Sequence, residues 1–119
     1  MSKLRKMDTN SELTPVEFVD PATVIEGTAI EKGVGYMGDD GEALTVGIWE
    51  TTAYAEVFSG EGYPEDEYCH VVAGTLTMTD DKGDVETFEA GENFVVRRGW
   101  CGEFRVTDGF KKIYVMAAA

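Results

Sequence analysis

Two glycine-punctuated blocks hold most of the side chains that could do chemistry: Glu67-Tyr-Cys-His-Val-Val-Ala-Gly74 and Gly91-Glu-Asn-Phe-Val-Val-Arg-Arg-Gly99, the second running on into Trp100-Cys-Gly-Glu-Phe104. A strand turns successive side chains to opposite faces, so an inward Glu67 brings Cys69 and Val71 inward and sends Tyr68, His70 and Val72 outward. An inward glutamate is either a proton-transfer group, its pKa raised by burial, or a structural charge paired with a cation. Lys112, in the terminal run Lys112-Ile-Tyr-Val115, is the most plausible cation. Periodicity leaves its face open, because Ile113 and Val115 form an equally good inward set. The ligand-binding candidates are Glu67, Cys69, Tyr63, Trp100, Phe104 and Lys112, with Glu67 the best candidate for catalysis. Trp49 and Tyr54 lie near the same blocks and read first as core.

Metal chemistry is constrained by a simple count. His70 is the only histidine, so a three-histidine site is excluded, and its outward face makes it a surface, interface or packing residue. Glu61 with Glu67 could hold a hard cation through oxygen, and Cys69 with Cys101 could add thiolates. One carboxylate without imidazole is a weak transition-metal site, so the reading is a metal-free chamber with no cofactor. Cys101 has no histidine expected beside it to lower its pKa, which leaves it an ordinary thiol. Arg97 and Arg98 read either as an anion site or, more commonly, as partners of surface carboxylates, each such pair being worth about 0–1 kcal/mol. No glycine-rich loop precedes a helix, so nucleotide chemistry has no support.

The elements that must position these residues are strands. Leu44, Val46 and Ile48 alternate within 43–50, and further strands are expected over 54–59, 67–73, 75–79, 84–89, 93–97, 102–107 and 111–116. None has a helical period. Asp80-Asp-Lys-Gly83 is a turn signal that makes a hairpin of its flanks. The segment Gly33–Gly41, rich in glycine and acid, reads as a loop. Residues 1–20 form an N-terminal arm in which Val16–Val19 is suited to lie across a sheet edge, and residues 21–119 form a single domain. About eight short strands with frequent turns indicate a closed or sandwiched all-β domain.

The ordered set of Trp49, Glu67–Gly74, Thr79–Gly83, Ala90-Gly-Glu92, Arg97–Phe104 and Lys112–Val115 resembles the small single-domain cupins grouped with the cupin domain of ureidoglycine aminohydrolase. The resemblance covers roughly residues 44–116, with motif 1 around 61–74 and motif 2 around 91–104. It implies an all-β double-stranded β-helix, the cupin jelly-roll barrel, with a functional chamber inside one end. In the metal-binding pattern, histidines stand four and six residues before the motif 1 glutamate, where this sequence has Tyr63 and Glu61, or glycines if the gap is one residue longer; the third falls at Gly102. Of that ligand set Glu67 alone remains. Trp100 and Phe104 flank Gly102, where the missing side chain is expected to leave volume for a ligand.

Composition bounds the partners. Twenty-three acidic against ten basic residues give a formal charge of −13, which disfavours nucleic acid and anionic membrane surfaces. Cationic or neutral small molecules remain admissible. There is no apolar run resembling a secretory leader or a membrane span, and two cysteines fit two free thiols in a reducing compartment, so a cytoplasmic homodimer is expected. Three functions follow as alternatives: a small-molecule-binding cupin without a transition metal, an enzyme acting on a ureido or amino compound with Glu67 as acid or base, or a non-catalytic structural or regulatory dimer module.

Overall fold

The apolar alternation that begins at Leu44 does not stop at Glu50 but runs through Tyr54 to Phe58 as one strand of fifteen residues. A computed structural model describes residues 3–38 and 41–117 of the chain; residues 39 and 40 of the segment read as a loop, and the extreme ends of the arm and the domain, lie outside the described residues. Eight strands result: β1 Thr14–Val16, β2 Val24–Gly27, β3 Glu31–Met37, β4 Leu44–Phe58, β5 Asp66–Asp80, β6 Val85–Glu89, β7 Asn93–Val96 and β8 Gly102–Ala117. A single 3-10 turn, Pro21–Thr23, is capped by the Asp20 side chain. The sheet order is β1-β3-β4-β8-β5-β6, with β2 on β4 and β7 on β5, and every pairing is antiparallel. Among the described residues no helix is long and apolar enough to cross a membrane.

Three pairs of strands expected to be separate are thus continuous, in β4, β5 and β8. Each is bent instead of broken: the β4–β8 register shifts between Thr52 and Tyr54, and the β5–β8 register shifts at Val71/Ala73 and Gly74/Leu76. Such bulges curve a sheet so that it can close. Gly74 is therefore a bend within β5 and not a chain reversal. Its φ is +83°, and a Cβ there would lie 1.9 Å from the Gly109 carbonyl oxygen of β8. The hairpin over Asp80–Gly83 forms as expected, Gly83 at φ +91° closing onto the Asp80 carbonyl.

Residues 33–37 of the segment expected to be a loop instead belong to β3. Gly33 suits close strand packing, since a Cβ there would meet the Ile48 carbonyl oxygen at 2.9 Å. Pairing with β1 on one side and β4 on the other overrides the loop-like composition. The arm contributes β1 to that edge, pairing Thr14–Val16 with Glu31–Gly33. Inside the barrel, Cys69, Val71, Leu76, Met78, Val106 and Phe110 fill the interior with aromatic and aliphatic packing, leaving a chamber bounded by β4, β5, β8 and the arm.

Gly74→Ala should destabilise the fold by about 1–3 kcal/mol or more, since it adds left-handed strain to a backbone collision. Gly83→Ala, strained but with open space around its Cβ, should cost about 1 kcal/mol. Urea denaturation of the two variants checks this; equal losses would show that the approach of β5 to β8 is not the constraint.

Candidate functional site

A chamber of ≈ 360 Å³ opens into the barrel. Strand β4 presents Trp49, Tyr54, Glu56 and Phe58 to it, β8 presents Phe104, Lys112, Tyr114 and Met116, and β5 presents Glu67. The β4–β5 connection adds Tyr63, and the arm closes one side with Phe18, Val19 and Asp20, followed by Thr23 of the 3-10 turn. Alternation accounts for each strand contribution, because inward positions recur every second residue along regular stretches.

The β5–β8 ladder sets Met116 opposite Glu67, Tyr114 opposite Cys69 and Lys112 opposite Val71. Lys112 is thus inward, two inward positions from Glu67, and its four-carbon stem spans the gap to bring Nζ 2.8 Å from Glu67 Oε2. The two side chains are 7% and 2% exposed. Tyr63 donates its hydroxyl to Glu67 Oε1, and the ammonium lies 5.2 Å from the centre of the Trp49 ring. Burial alone disfavours the Lys112 ammonium, but the Glu67 carboxylate more than offsets it and holds the pKa above the usual lysine value. Burial and the neighbouring Glu67 charge keep the Tyr63 hydroxyl protonated well beyond its ordinary range. Cys69 lies within hydrogen-bonding reach of the pair, and burial pushes its thiol up to about 12.

Two further buried carboxylates complete the polar part. Glu31, at the start of β3, accepts hydrogen bonds from Trp49 Nε1 (3.0 Å) and from the backbone N–H groups of Phe18 (3.0 Å) and Val19 (3.1 Å). It ties the arm to the chamber floor. Glu56 accepts from the Tyr54 hydroxyl at 2.5 Å and from Thr23 Oγ1 at 3.0 Å. Burial raises its pKa, although both hydroxyls work against that shift, and Glu31 adds to it. Tyr54 is raised as well, by burial and then by the Glu56 charge.

Of the residues singled out from the sequence, Glu67, Tyr63, Phe104 and Lys112 line this chamber; Cys69 and Trp100 do not. Cys69 is fully buried behind the Glu67–Lys112 pair, and Trp100 packs on Phe58 outside the walls, ring centres 6.2 Å apart. The volume expected at Gly102 is already filled: a Cβ there would lie 2.2 Å from the Thr79 carbonyl oxygen and 2.9 Å from the Trp100 ring. His70 faces outward, with Nδ1 2.7 Å from Asn93 Oδ1. Arg97 pairs with Asp66 at 3.2 Å on the surface, and the Arg98 N–H followed by the Arg97 side chain holds Asp66 below the usual carboxylate range. Cys101 is half-buried, its Sγ 3.5 Å from the Gly99 carbonyl oxygen. Glu31, Glu56 and Thr23 went unrecognised in the sequence. The alternation Tyr54-Ala-Glu56-Val-Phe58, a glutamate between two aromatics on one face, is the signal that could have found Glu56.

The donor set does not fit a transition metal. Glu61 is exposed and outside the chamber, so it does not converge with Glu67. Cys101 lies outside it too, and one Glu67 oxygen faces an ammonium while the other faces a phenol. Among the described residues no group of three histidine, cysteine or carboxylate side chains could hold a metal ion.

Glu67→Gln and Lys112→Met should each cost about 3–5 kcal/mol, because each leaves a buried charge unmet. The double variant should recover most of that loss in urea denaturation; additive losses would show the two are uncoupled. On the alkaline side, the Lys112 contribution is complete below pH 10.5 and, with its folded-state pKa raised above that value, is lost as pH rises through the folded-state pKa. Glu56 acts in the opposite part of the scale. Its folded-state pKa lies above 4.5, so folding favours the protonated form and stability declines as pH rises from 4.5 through the folded value. Glu56→Gln should flatten that slope; an unchanged slope would remove Glu56 as its source.

The match of this architecture to known proteins is broad. No curated protein matches the sequence. The solved structure of a DUF861-family protein of unknown function from Pseudomonas syringae pv. tomato superposes with a TM-score of 0.84 at 21% identity, covering 93% of this chain and 46% of that one. The Clostridium difficile EutQ protein gives 0.63 at 22% identity, over 77% of this chain and 65% of that one. A putative ethanolamine utilization protein Q from Salmonella typhimurium gives 0.62 at 18% identity, over 89% and 94%. The chain thus spans about half to two thirds of the first two, and at these identities the likeness is one of fold. Residues 38–114, which include β4 to β7, most of β8 and the polar pair, match the family model for the EutQ-like cupin domain, and the chain belongs to that family.

Proposed function

We propose that the protein is a small-molecule-binding cupin whose chamber takes a compact, partly apolar, nitrogen-containing ligand without using a transition metal. The observation that carries this reading is the convergence of Glu56, Glu67, Lys112 and Tyr63 in a ≈ 360 Å³ cavity whose other walls are largely aromatic. Sites of this size with few placed polar groups are characteristic of ligand pockets. Two free cysteines, one of them buried beside the pair, suit the reducing interior of a cell.

A second reading is an enzyme acting on a ureido or amino compound, in line with the resemblance to the cupin domain of ureidoglycine aminohydrolase. The raised pKa of Glu56 favours it, since a carboxylic acid must be brought toward the working pH to move protons. In that case Glu56 takes the acid–base role expected of Glu67, whose two oxygens are already held by Lys112 and Tyr63.

Native mass spectrometry of the purified protein, followed by a ligand-observed NMR fragment screen, tests the reading. Ligands should be found in wild-type protein and excluded by Met116→Trp, which fills the chamber from β8 while leaving the polar groups in place. A screen in which nothing binds wild-type protein would leave the structural or regulatory module as the reading.

A further inference from the structure

Glu56 is a buried carboxylate with no counter-ion. It is 6% exposed and lines the chamber. Both of its hydrogen-bond donors, Tyr54 and Thr23, are neutral hydroxyls. A carboxylate offers about four lone-pair sites, and these two donors leave part of that capacity unused. Among the described residues none of the ion pairs includes Glu56. The cation in the chamber walls, Lys112, is already bonded to Glu67.

Charge counting extends the point. The walls carry the carboxyl groups of Asp20, Glu56 and Glu67 against one ammonium, and Glu31 lies behind Trp49. An anionic ligand would add to that imbalance, and a neutral one would leave Glu56 unmet. The apolar walls are compatible with a cation: Trp49, Tyr54, Phe58 and Phe104 line the chamber, and an aromatic ring can take a cation over its face, as Trp49 does with Lys112.

We propose that the ligand is a small organic monocation, an alkyl- or arylalkyl-ammonium, whose charged nitrogen docks on Glu56 while its apolar body lies against the aromatic walls. The inference rests on the reading of the chamber as a ligand site and names the ligand class for it. The raised pKa of Glu56 supports it, because it marks a carboxylate whose loss of water outweighs what its two hydroxyl donors and the Lys112 ammonium, itself bonded to Glu67, give back. A docked ammonium supplies a bonded cation.

The test uses the full chain and three matched probe sets: propylamine, cyclohexylmethylamine and 2-phenylethylamine, each beside its alcohol and carboxylate counterparts, titrated at pH 7.5 by calorimetry and ligand-observed NMR. At least one amine should bind roughly tenfold or more tightly than its alcohol, the scale of a charge-assisted hydrogen bond. Glu56→Gln, which keeps the shape and removes the charge, should abolish that preference. In wild-type protein the preference should also fade as pH is lowered and Glu56 takes up a proton. Lys112, Tyr54, Tyr63 and Tyr114, all raised, keep their protons over that range; the other titratable groups facing Glu56 are Asp20, Glu31 and Glu67. Alcohols or carboxylates binding as tightly as amines, or an amine preference that survives in Glu56→Gln, would overturn the proposal while leaving the chamber a ligand site. Silence from every probe, charged or not, would overturn that reading and the inference with it.

Discussion

A lysine ammonium inside an apolar barrel must have its charge met, and the Glu67–Lys112 pair is the constraint around which the chamber is arranged. Taking two such ions out of water costs several kcal/mol each, and the return comes from close geometry: an N···O separation of 2.8 Å, a phenol on the second carboxylate oxygen and the Trp49 ring beside the ammonium. These partners come from β4, β5, β8 and the β4–β5 connection. The pair can form only when the barrel has closed, which couples the chamber to the fold.

The buried carboxylates are stabilised in three different ways. Glu67 has an ammonium and a phenol. Glu31 has one indole N–H and two backbone N–H groups, which satisfy it through dipoles and hold the arm in place. Glu56 has two hydroxyls and no ion pair among the described residues, the Lys112 charge reaching it without a bond. Glu56, whose donors are both neutral, is held above the usual carboxylate value by its burial. A buried carboxylate left in that condition is a cost to folding, which makes sense where a ligand offsets it.

Much of this was legible in the sequence because strand period and turn chemistry are local signals. The alternation at Glu67, Cys69 and Val71, the outward His70 and the Asp80–Gly83 hairpin all follow from residues within a few positions of one another. What was not legible depended on distant pairing. The glycines of 33–37 match a loop until β4 pairs along them and β1 pairs at Gly33. A glycine such as Gly74 marks a turn by composition, and whether it bends a strand or ends one depends on the β8 backbone facing it. The emptiness inferred at Gly102 failed for the same reason: deleting a side chain leaves space only if no neighbouring backbone moves in, and here Thr79 and Trp100 occupy it. The inward face of Lys112 was undecidable from its own strand, since either alternating set was apolar enough, and the charge of Glu67 across the ladder decided it.

The walls of the chamber do not all come from the stretch that carries the family match. Residues 38–114 supply the barrel strands and the polar pair, but Phe18, Val19, Asp20 and Thr23 lie before it, as does Glu31, which holds two of them in place. One of the two donors to Glu56, Thr23, is likewise outside it. The part of the site that bonds Glu56 from outside the barrel and lines one side of the chamber therefore belongs to the arm and the 3-10 turn after it, whereas the part that fixes Glu67 and Lys112 belongs to the barrel. Proteins sharing the barrel need not share this arm, and a ligand read by both would not follow from fold alone. The chemistry of the chamber has to be argued from its own residues, and among them Glu56, held between Thr23 of the 3-10 turn and Tyr54 of β4, is where the charge is left without an ion pair.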